Sequence, residues 1–410
     1  MSKTDQAVER LPYADHINLI DIFRGLTIFI MIFVNDVARI DGVPWWMKHM
    51  PGNVNGMTFV DVVFPAFLFI VGMVVPIVID KRLSEGLPRA AIWSRILTRS
   101  FSLLVVGVYM MNASDIQPAA TGMSSDVWKL LLFAGVMLIW NQYPYVRDKA
   151  WLATVSHLSG IGILVFLAVI FRGNADGNTI WLRTAWWGIL GLIGWAYLFT
   201  CAAYLLCKRL KGKQVVAMSG ILGLFILIKV CEQRGMIPRL DIIPGAVYIY
   251  LGRHIAAPAT ASIAGAIVSM MMFSKSSLTN IPKRISAVLL FAAGLLILGS
   301  ILQSYGISKT DSTPTWLLYS SSICCVIFVL LFLLEIKVSM GKWKLLLSVG
   351  KNPMLAYILP PLCIQPLFAI LGIGGYPGGV LNGIFMSLVF TVAVTVLSGL
   401  LHERGVSLRL

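Results

Sequence analysis

Long apolar runs separated by short polar stretches recur along the whole chain, and their length decides the fold class. The runs lie near 19–38, 59–80, 94–112, 127–143, 151–171, 180–206, 214–231, 252–273, 285–303, 314–334, 345–370 and 379–401. A helix that crosses the hydrocarbon core of a bilayer needs roughly 17–25 apolar residues. In lipid its backbone polar groups must be satisfied within the segment. The pattern therefore predicts an all-α, polytopic membrane protein with about 11–12 transmembrane helices. The fourth run is short, and Pro353, Pro360, Pro361 and Pro366 interrupt the eleventh, since a proline removes a helical donor and clashes with the preceding turn. Residues 1–18 form a polar segment, 19–401 a single transmembrane domain, and 402–410 a tail. The N-terminal segment lacks the basic, apolar and small-residue order of a cleaved signal peptide, so insertion is expected to begin with the first span.

Composition agrees with that reading. The chain is 58% hydrophobic and 12% charged, far from the balance of a soluble domain. Its net charge of +15 invites a nucleic-acid partner, but the distribution of the charge removes that reading. When loops are assigned to alternate sides, one side collects Lys3, Arg10, Lys81, Arg82, Arg89, Arg95, Arg99, Arg147, Lys149, Lys208, Arg209, Lys211, Lys213, Lys275, Lys283, Arg284, Lys337, Lys342, Lys344, Arg404 and Arg409. The other side has Arg39, Lys48, Arg172, Arg183, Arg234, Arg239, Arg253 and Lys309. By the positive-inside rule both termini are expected in the cytoplasm, and the loop after the first span outside the cell (inner) membrane. Membrane lipid is then the surrounding partner, and no nucleic acid is expected. The six cysteines, Cys201, Cys207, Cys231, Cys324, Cys325 and Cys363, lie in or beside apolar runs without a C-x-x-C pair. They read as small packing residues, and no metal is expected. Trp45, Trp46, Trp151, Trp181, Trp186, Trp187, Trp316 and Trp343 fall at span ends and read as interfacial belts. Leu371 to Gly379 is rich in Gly and Pro and reads as a tight turn.

Chemistry-bearing residues gather in and between the first two runs. The first holds Asp21, Arg24, Asn35 and Asp36, the second opens on Asp61, and His49 sits in the polar stretch between them. Ionisable groups in or at the ends of spans mark functional sites by default. On a helix Arg24 and Asn35 share a face to within about 20° and stand roughly 16 Å apart along the axis. Asp21, one turn before Arg24, is placed to pair with it. A ligand that bridged this face would be long and thin, with anionic groups at the cytoplasmic end, which is the shape of acetyl-CoA. Arg95 and Arg99 lie one turn apart at the cytoplasmic end of the third run and suit its phosphates. The bland alternatives are a snorkelling Asp21–Arg24 anchor, Arg95 and Arg99 as topology determinants, Asp61 as a helix N-cap, and Asp36 facing water. His49 is suited to general-base work, with Asp61 or Asp36 accepting its other ring N–H and Asn35 donating to a developing oxyanion.

The motifs Asp21-Ile22-Phe23-Arg24-Gly25, Val34-Asn35, Lys48-His49, Asn55-Gly56 and Asp61-Val62-Val63-Phe64-Pro65-Ala66-Phe67-Leu68-Phe69-Ile70-Val71-Gly72 occur in one order. In that order they resemble the heparan-alpha-glucosaminide N-acetyltransferase family, and in particular its bacterial relatives of unknown function. Weaker echoes follow at Ile307-Ser308-Lys309, Thr313-Pro314-Thr315-Trp316 and Gly350-Lys351-Asn352-Pro353. The strong likeness covers about 60 residues, and Lys129-Leu130-Leu131-Leu132-Phe133 stands where the family has Leu-Gln-Arg-Ile. The resemblance implies a transmembrane acetyltransferase that takes acetyl groups from cytoplasmic acetyl-CoA, its co-substrate, and transfers them to an extracytoplasmic glycan or amino sugar. It implies His49 as the catalytic histidine, Asn35 as its polar partner, and a homodimer. A transporter or flippase for a glycolipid or anionic solute is the alternative from another class, and an assembly protein the third.

Overall fold

The computed structural model of the protein describes residues 13–142, 150–175, 177–210, 212–234, 250–273, 280–337, 343–376 and 378–408. In chain order its helices are α1 (Tyr13–Val37), α2 (Val63–Ser84), α3 (Arg89–Asn112), the single turn α4 (Pro118–Thr121), α5 (Ser125–Trp140), α6 (Ala150–Ile170), α7 (Gly188–Cys207) and α8 (Gln214–Gln233). They continue with α9 (Ala257–Phe273), α10 (Ile281–Ile301), α11 (Pro314–Lys337), α12 (Lys344–Lys351), α13 (Pro353–Leu359), α14 (Gln365–Ile370) and α15 (Gly379–Glu403). One antiparallel hairpin pairs β1 (Gly173–Ala175) with β2 (Asn178–Ile180). Among the described residues ten helical segments are long and apolar enough to cross a membrane. The 25-residue α1 and the 16-residue α5 stand outside those ten. They are the first run and the short fourth run of the sequence pattern. The protein is an all-α, multi-pass membrane protein.

One of the sequence-derived spans needs correction, and another shows the break its prolines predict. The sixth begins at Gly188, not near 180, because the hairpin and the loop 181–187 take up the residues before it. That loop carries left-handed backbone at Ala185 (φ 36°) and Trp187 (φ 68°). The buried Asn112 side chain fixes it, donating to the Arg183 carbonyl (2.8 Å) and accepting the Arg183 N–H (3.2 Å). The eleventh span is divided: α12 ends at Lys351, and a π-turn at Pro360–Ile364 joins α13 to α14. Pro360 and Pro361 bring no N–H to the ladder, so the wider turn forms where the ordinary one would fail. Of the loop cations that set the expected topology, Lys3, Arg10, Arg147, Lys149, Lys211, Arg239, Lys275, Lys342 and Arg409 lie outside the described residues. So does most of the segment 1–18.

The chain forms two compact units. The first takes α1 through Phe23, Pro44–Phe101 and Leu192–Lys342; the second takes Arg24–Val43, Ser102–Gly191 and Trp343–Leu410. At the centre of the first unit α9 is buried along nearly its whole length, on a surface of Ala259, Ala261, Ala264, Gly265 and Ala266. It lies directly on α2. A Cβ at Gly72 would stand 1.7 Å from the Ser262 carbonyl oxygen, and one at Gly265 would stand 1.9 Å from that of Phe69. Lipid supplies no hydrophobic drive between helices, so close backbone approach and interhelical hydrogen bonds hold them. The Thr200–Ser262 hydroxyl pair, at 2.9 Å, is one such bond. In the second unit Gly25 of α1 meets α12 in the same way, its would-be Cβ 2.0 Å from the Leu346 carbonyl oxygen. Cys201, Cys207, Cys324 and Cys325 are buried among these helices.

Gly72→Ala is expected to force α2 and α9 apart, with a loss at or above the roughly 1–3 kcal/mol typical of overpacking. Gly294→Ala, on an open face of α10 with nothing within 4 Å, should be neutral or gain up to about 1 kcal/mol from helix propensity. Thermal unfolding of the two detergent-purified variants beside wild type checks the contrast.

Candidate functional site

The polar stretch after α1 folds back onto the start of α2 through one carboxylate. Thr58 and Asp61 form a reciprocal capping box on the 3-10 turn Phe59–Val62 that leads into α2. Asp61 is 1% exposed. Its Oδ2 accepts the backbone N–H groups of Thr58 (3.0 Å) and Met50 (3.2 Å), and its Oδ1 faces His49 Nδ1 at 2.8 Å. An ionised carboxylate only accepts, so Nδ1 carries a hydrogen, and in the neutral ring Nε2 is the nitrogen with the lone pair. The two sequence readings of Asp61, as N-cap and as orienter of His49, therefore hold together: one oxygen caps the turn and the other fixes the imidazole. The Thr58 hydroxyl also donates to the Lys48 carbonyl (2.8 Å), which holds the residue before His49. The imidazole is 43% exposed, so a fixed, accessible ring stands over a buried anion.

Two residues of the late motif complete this site. The Trp316 indole N–H donates to the Asp61 backbone carbonyl (3.1 Å). Trp316 is 1% exposed, which corrects its reading as a belt residue: it lies beneath the site and is not at a lipid interface. Lys309 Nζ stands 3.0 Å from His49 Nε2 and 3.1 Å from Nδ1. The sequence pattern placed Trp316 in a belt and Lys309 among the loop cations and gave neither a part in the site, although both lie in the segment 307–316 that carries the weaker motif echo. The available signal was a dense polar cluster, Ser308 to Thr313, between two apolar runs.

The other expected residues fall elsewhere. Asn35 and Asp36 belong to the second unit. Asn35 is exposed. Asp36 is 4% exposed, which removes the bland alternative that it faces water, and it accepts the Tyr376 hydroxyl (2.5 Å). Burial, joined by that carboxylate, raises the Tyr376 phenol above its ordinary value. The imidazole N–H goes to Asp61. Arg24, also in the second unit, is half-buried and donates to the Gly350 carbonyl (2.8 Å), at the end of α12. Gly25 makes this contact reachable by letting α12 lie against α1. Asp21 is buried in the first unit. Arg95 and Arg99 are exposed on α3, with the Arg99 guanidinium 4.8 Å from the centre of the Tyr197 ring. The described residues hold no group of three or more His, Cys, Asp or Glu with metal-binding geometry. The second unit contains a cavity of about 360 Å³ whose lining includes Met111, Asp115, Arg183, Trp186 and Tyr357. None of the site residues expected from the sequence lines it.

Comparison with known proteins bears on this arrangement. The chain is 34% identical over 112 residues to heparan-alpha-glucosaminide N-acetyltransferase of Mus musculus, a match to 27% of this chain and 16% of that protein. It is 34% identical over 93 residues to the Homo sapiens protein of the same name, covering 23% of this chain and 13% of that one. The chain thus matches less than a fifth of the length of either relative. The model of the family described as Domain of unknown function (DUF5009) matches residues 16–230, just over half of the 410-residue chain. The stretch takes in α1, the His49 loop, α2 and Asp61, and the chain belongs to this DUF5009 family.

Proposed function

We propose that the protein is a transmembrane acyltransferase. It moves an acetyl group from acetyl-CoA on the cytoplasmic side to an amine, or a hydroxyl, of a glycan or amino sugar on the other side. The observation that carries this reading is the His49–Asp61 pair. A buried, fully engaged carboxylate holds one imidazole nitrogen protonated, which leaves the other as a fixed base on an exposed ring. The partial likeness to two proteins named as N-acetyltransferases supports acyl transfer over other uses of such a pair. The positive-inside count supports an extracytoplasmic His49 and both termini in the cytoplasm.

The chemistry follows from the pair. The acceptor nitrogen or oxygen attacks the thioester carbonyl carbon, and its proton passes to His49 Nε2. The tetrahedral intermediate then collapses, the C–S bond breaks, and the thiolate leaves with the proton that His49 received. Asp61 stays ionised throughout and stabilises the imidazolium, as the orienting carboxylate does in triad chemistry. On the donor side Arg24, Asp21, Arg95 and Arg99 are the residues proposed for CoA. Arg95 and Arg99 are exposed on one helix and present guanidinium groups suited to phosphate. Asn35 enters the reading as an oxyanion donor and through the sequence resemblance, and Asp36 as a further carboxylate near the end of the first span.

Two measurements test it. Acetyl-CoA should raise the unfolding temperature of the detergent-purified protein, since a ligand at 100 times its Kd adds about 2.7 kcal/mol to the folded state, and Arg24→Ala should diminish the rise. With radiolabelled acetyl-CoA and glucosamine, His49→Ala should lower transfer by about 10²–10⁴-fold, the span typical of a general base. Asp61→Asn, which replaces an acceptor oxygen by a donor, should fall with it. Solute counterflow that survives His49→Ala, with no acetyl transfer in wild type, would instead establish the transporter reading.

A further inference from the structure

The group that meets His49 besides Asp61 is an amine brought from a distant turn. Lys309 Nζ stands 3.0 Å from Nε2 and 3.1 Å from Nδ1. Nζ is thus nearly equidistant from the two ring nitrogens; Nδ1 donates its hydrogen to Asp61, which leaves Nε2 of the neutral ring as the nitrogen with a lone pair. The turn is fixed from several sides. Asn55 Oδ1 accepts the Ile307 N–H (2.7 Å), and the Gly56 N–H donates to the Ile307 carbonyl (3.0 Å). The Ser308 hydroxyl donates to Asp311 Oδ2 (3.1 Å), while Asp311 Oδ1 accepts from Arg253 (3.2 Å) in the π-turn Leu251–Ala256. Thr313 Oγ1 accepts the Ser308 N–H (3.1 Å) as the chain turns into α11. Gly52, in the His49 loop, leaves room for Thr310, whose Oγ1 would lie 3.1 Å from a Cβ there. An unconstrained surface lysine needs none of this.

We propose that Lys309 is a further catalytic residue of the acyl transfer set out above, a reading on which this inference rests. Its ammonium stabilises the oxyanion that forms on the acetyl carbonyl while Nε2 receives the acceptor's proton. A general base must lie about 2.6–3.2 Å from the proton-bearing atom it serves, and that atom is bonded to the attacked carbon in the tetrahedral intermediate. The carbonyl oxygen therefore arises within a few ångströms of Nε2, the region that Nζ already occupies. In the resting site the ammonium stands 3.0 Å from Nε2 and 3.1 Å from Nδ1. When an acceptor N–H or O–H takes the Nε2 lone pair, the three-donor ammonium on its flexible stem turns to the adjoining oxygen. As the nucleophile attacks, the carbonyl π electrons pass to oxygen under this donor; as the C–S bond breaks they return, and the thiolate leaves with the proton from His49.

The charges around Lys309 suit the role. Asp61 and Lys309 meet the same imidazole, Asp311 in its own turn is paired with Arg253, and Lys229 is paired with Glu232 at the end of α8. Burial lowers the Lys309 ammonium to about 8, with Asp61 acting in the opposite sense. It is therefore charged at neutral pH and loses its proton, and its value as a donor to an oxyanion, as the pH rises through about 8.

The test uses the full-length protein in detergent, acetyl-CoA and glucosamine. Lys309→Met should lower kcat by about 10²–10³-fold, the usual effect of removing an oxyanion donor, with KM for acetyl-CoA little changed. The wild-type rate should fall as pH passes about 8. Lys309→Arg, charged at every accessible pH, should regain part of the rate and lose that fall. A merely structural lysine would not couple the side-chain charge to the pH profile. If His49→Ala abolishes transfer but Lys309→Met retains kcat, this inference fails and the acyltransferase reading stands. If wild type shows no His49-dependent transfer, the acyltransferase reading fails and takes this one with it. Carbethoxylation of the His49 peptide by diethyl pyrocarbonate, followed by mass spectrometry, needs no acceptor. Wild type should be protected below pH 8 and react faster above it, whereas Lys309→Met should react without that step. Equal rates in the two proteins would remove the contact and overturn the proposal.

Discussion

A carboxylate buried at the head of a membrane helix must be compensated on every side, and in this protein the compensation of Asp61 organises the region around it. Leaving such an anion unpaired would cost several kcal/mol, enough to protonate it or unfold its surroundings. The donors that prevent this are the Met50 amide, the His49 ring and the Thr58 amide, while the Trp316 indole holds the backbone carbonyl of the same residue. Each donor fixes a piece of chain. The loop 44–58 is drawn over the start of α2, and the start of α11 is pinned beneath it. A buried charge thus does the positioning that hydrophobic packing cannot do at a membrane end, where loops meet water and helices meet lipid.

Around this polar head the first unit is held by contacts of the opposite kind. Gly72 and Gly265 let α2 and α9 touch backbone to backbone, and a helix of small residues fills the centre. The two devices depend on each other. Any separation of α2 from α9 would move the capping turn at Asp61, and the His49–Asp61 distance of 2.8 Å tolerates little movement. Catalytic groups built on well-packed helices keep their geometry better than groups held by loops alone. His49 has the exposure of a loop residue and the positional control of a helix terminus.

What the sequence made legible follows the range of the interactions. Span lengths are a local property, so the helical architecture and the broken eleventh span could be read from apolar runs and prolines. The pairing of His49 with Asp61 was readable too, because twelve residues separate the two and a helix start attracts a carboxylate. Lys309 was not, since 260 residues lie between it and His49 and no periodicity links them. Trp316 misled for a physical reason: an indole at a span end is equally at home in an interfacial belt and under a polar site, and only its burial separates the two. Asp36 misled likewise, because its partner Tyr376 lies 340 residues on. The hairpin Gly173–Ile180 escaped notice since its few polar residues carry no alternating pattern.

The combination of a fixed imidazole and an adjacent ammonium also bears on which acceptors suit the site. An amine reaches it at neutral pH mostly as a cation, and must lose one proton before attack and another during it. Lys309, itself cationic, repels that form and favours the neutral amine or a hydroxyl next to Nε2. The same charge attracts the polarised carbonyl oxygen of an acetyl thioester. Under the proposed function the site would therefore discriminate by charge at the reacting atom, admitting a neutral nucleophile and an electron-rich oxygen together, the pair that acyl transfer requires. A transporter site for an anionic solute would need the positive charge of Lys309 without the lone pair beside it. The ordered Nδ1–H bond to Asp61 would then serve no purpose, since any His tautomer would do. That the imidazole is held in one tautomer, at the expense of burying a carboxylate, is the physical reason to favour chemistry over passage.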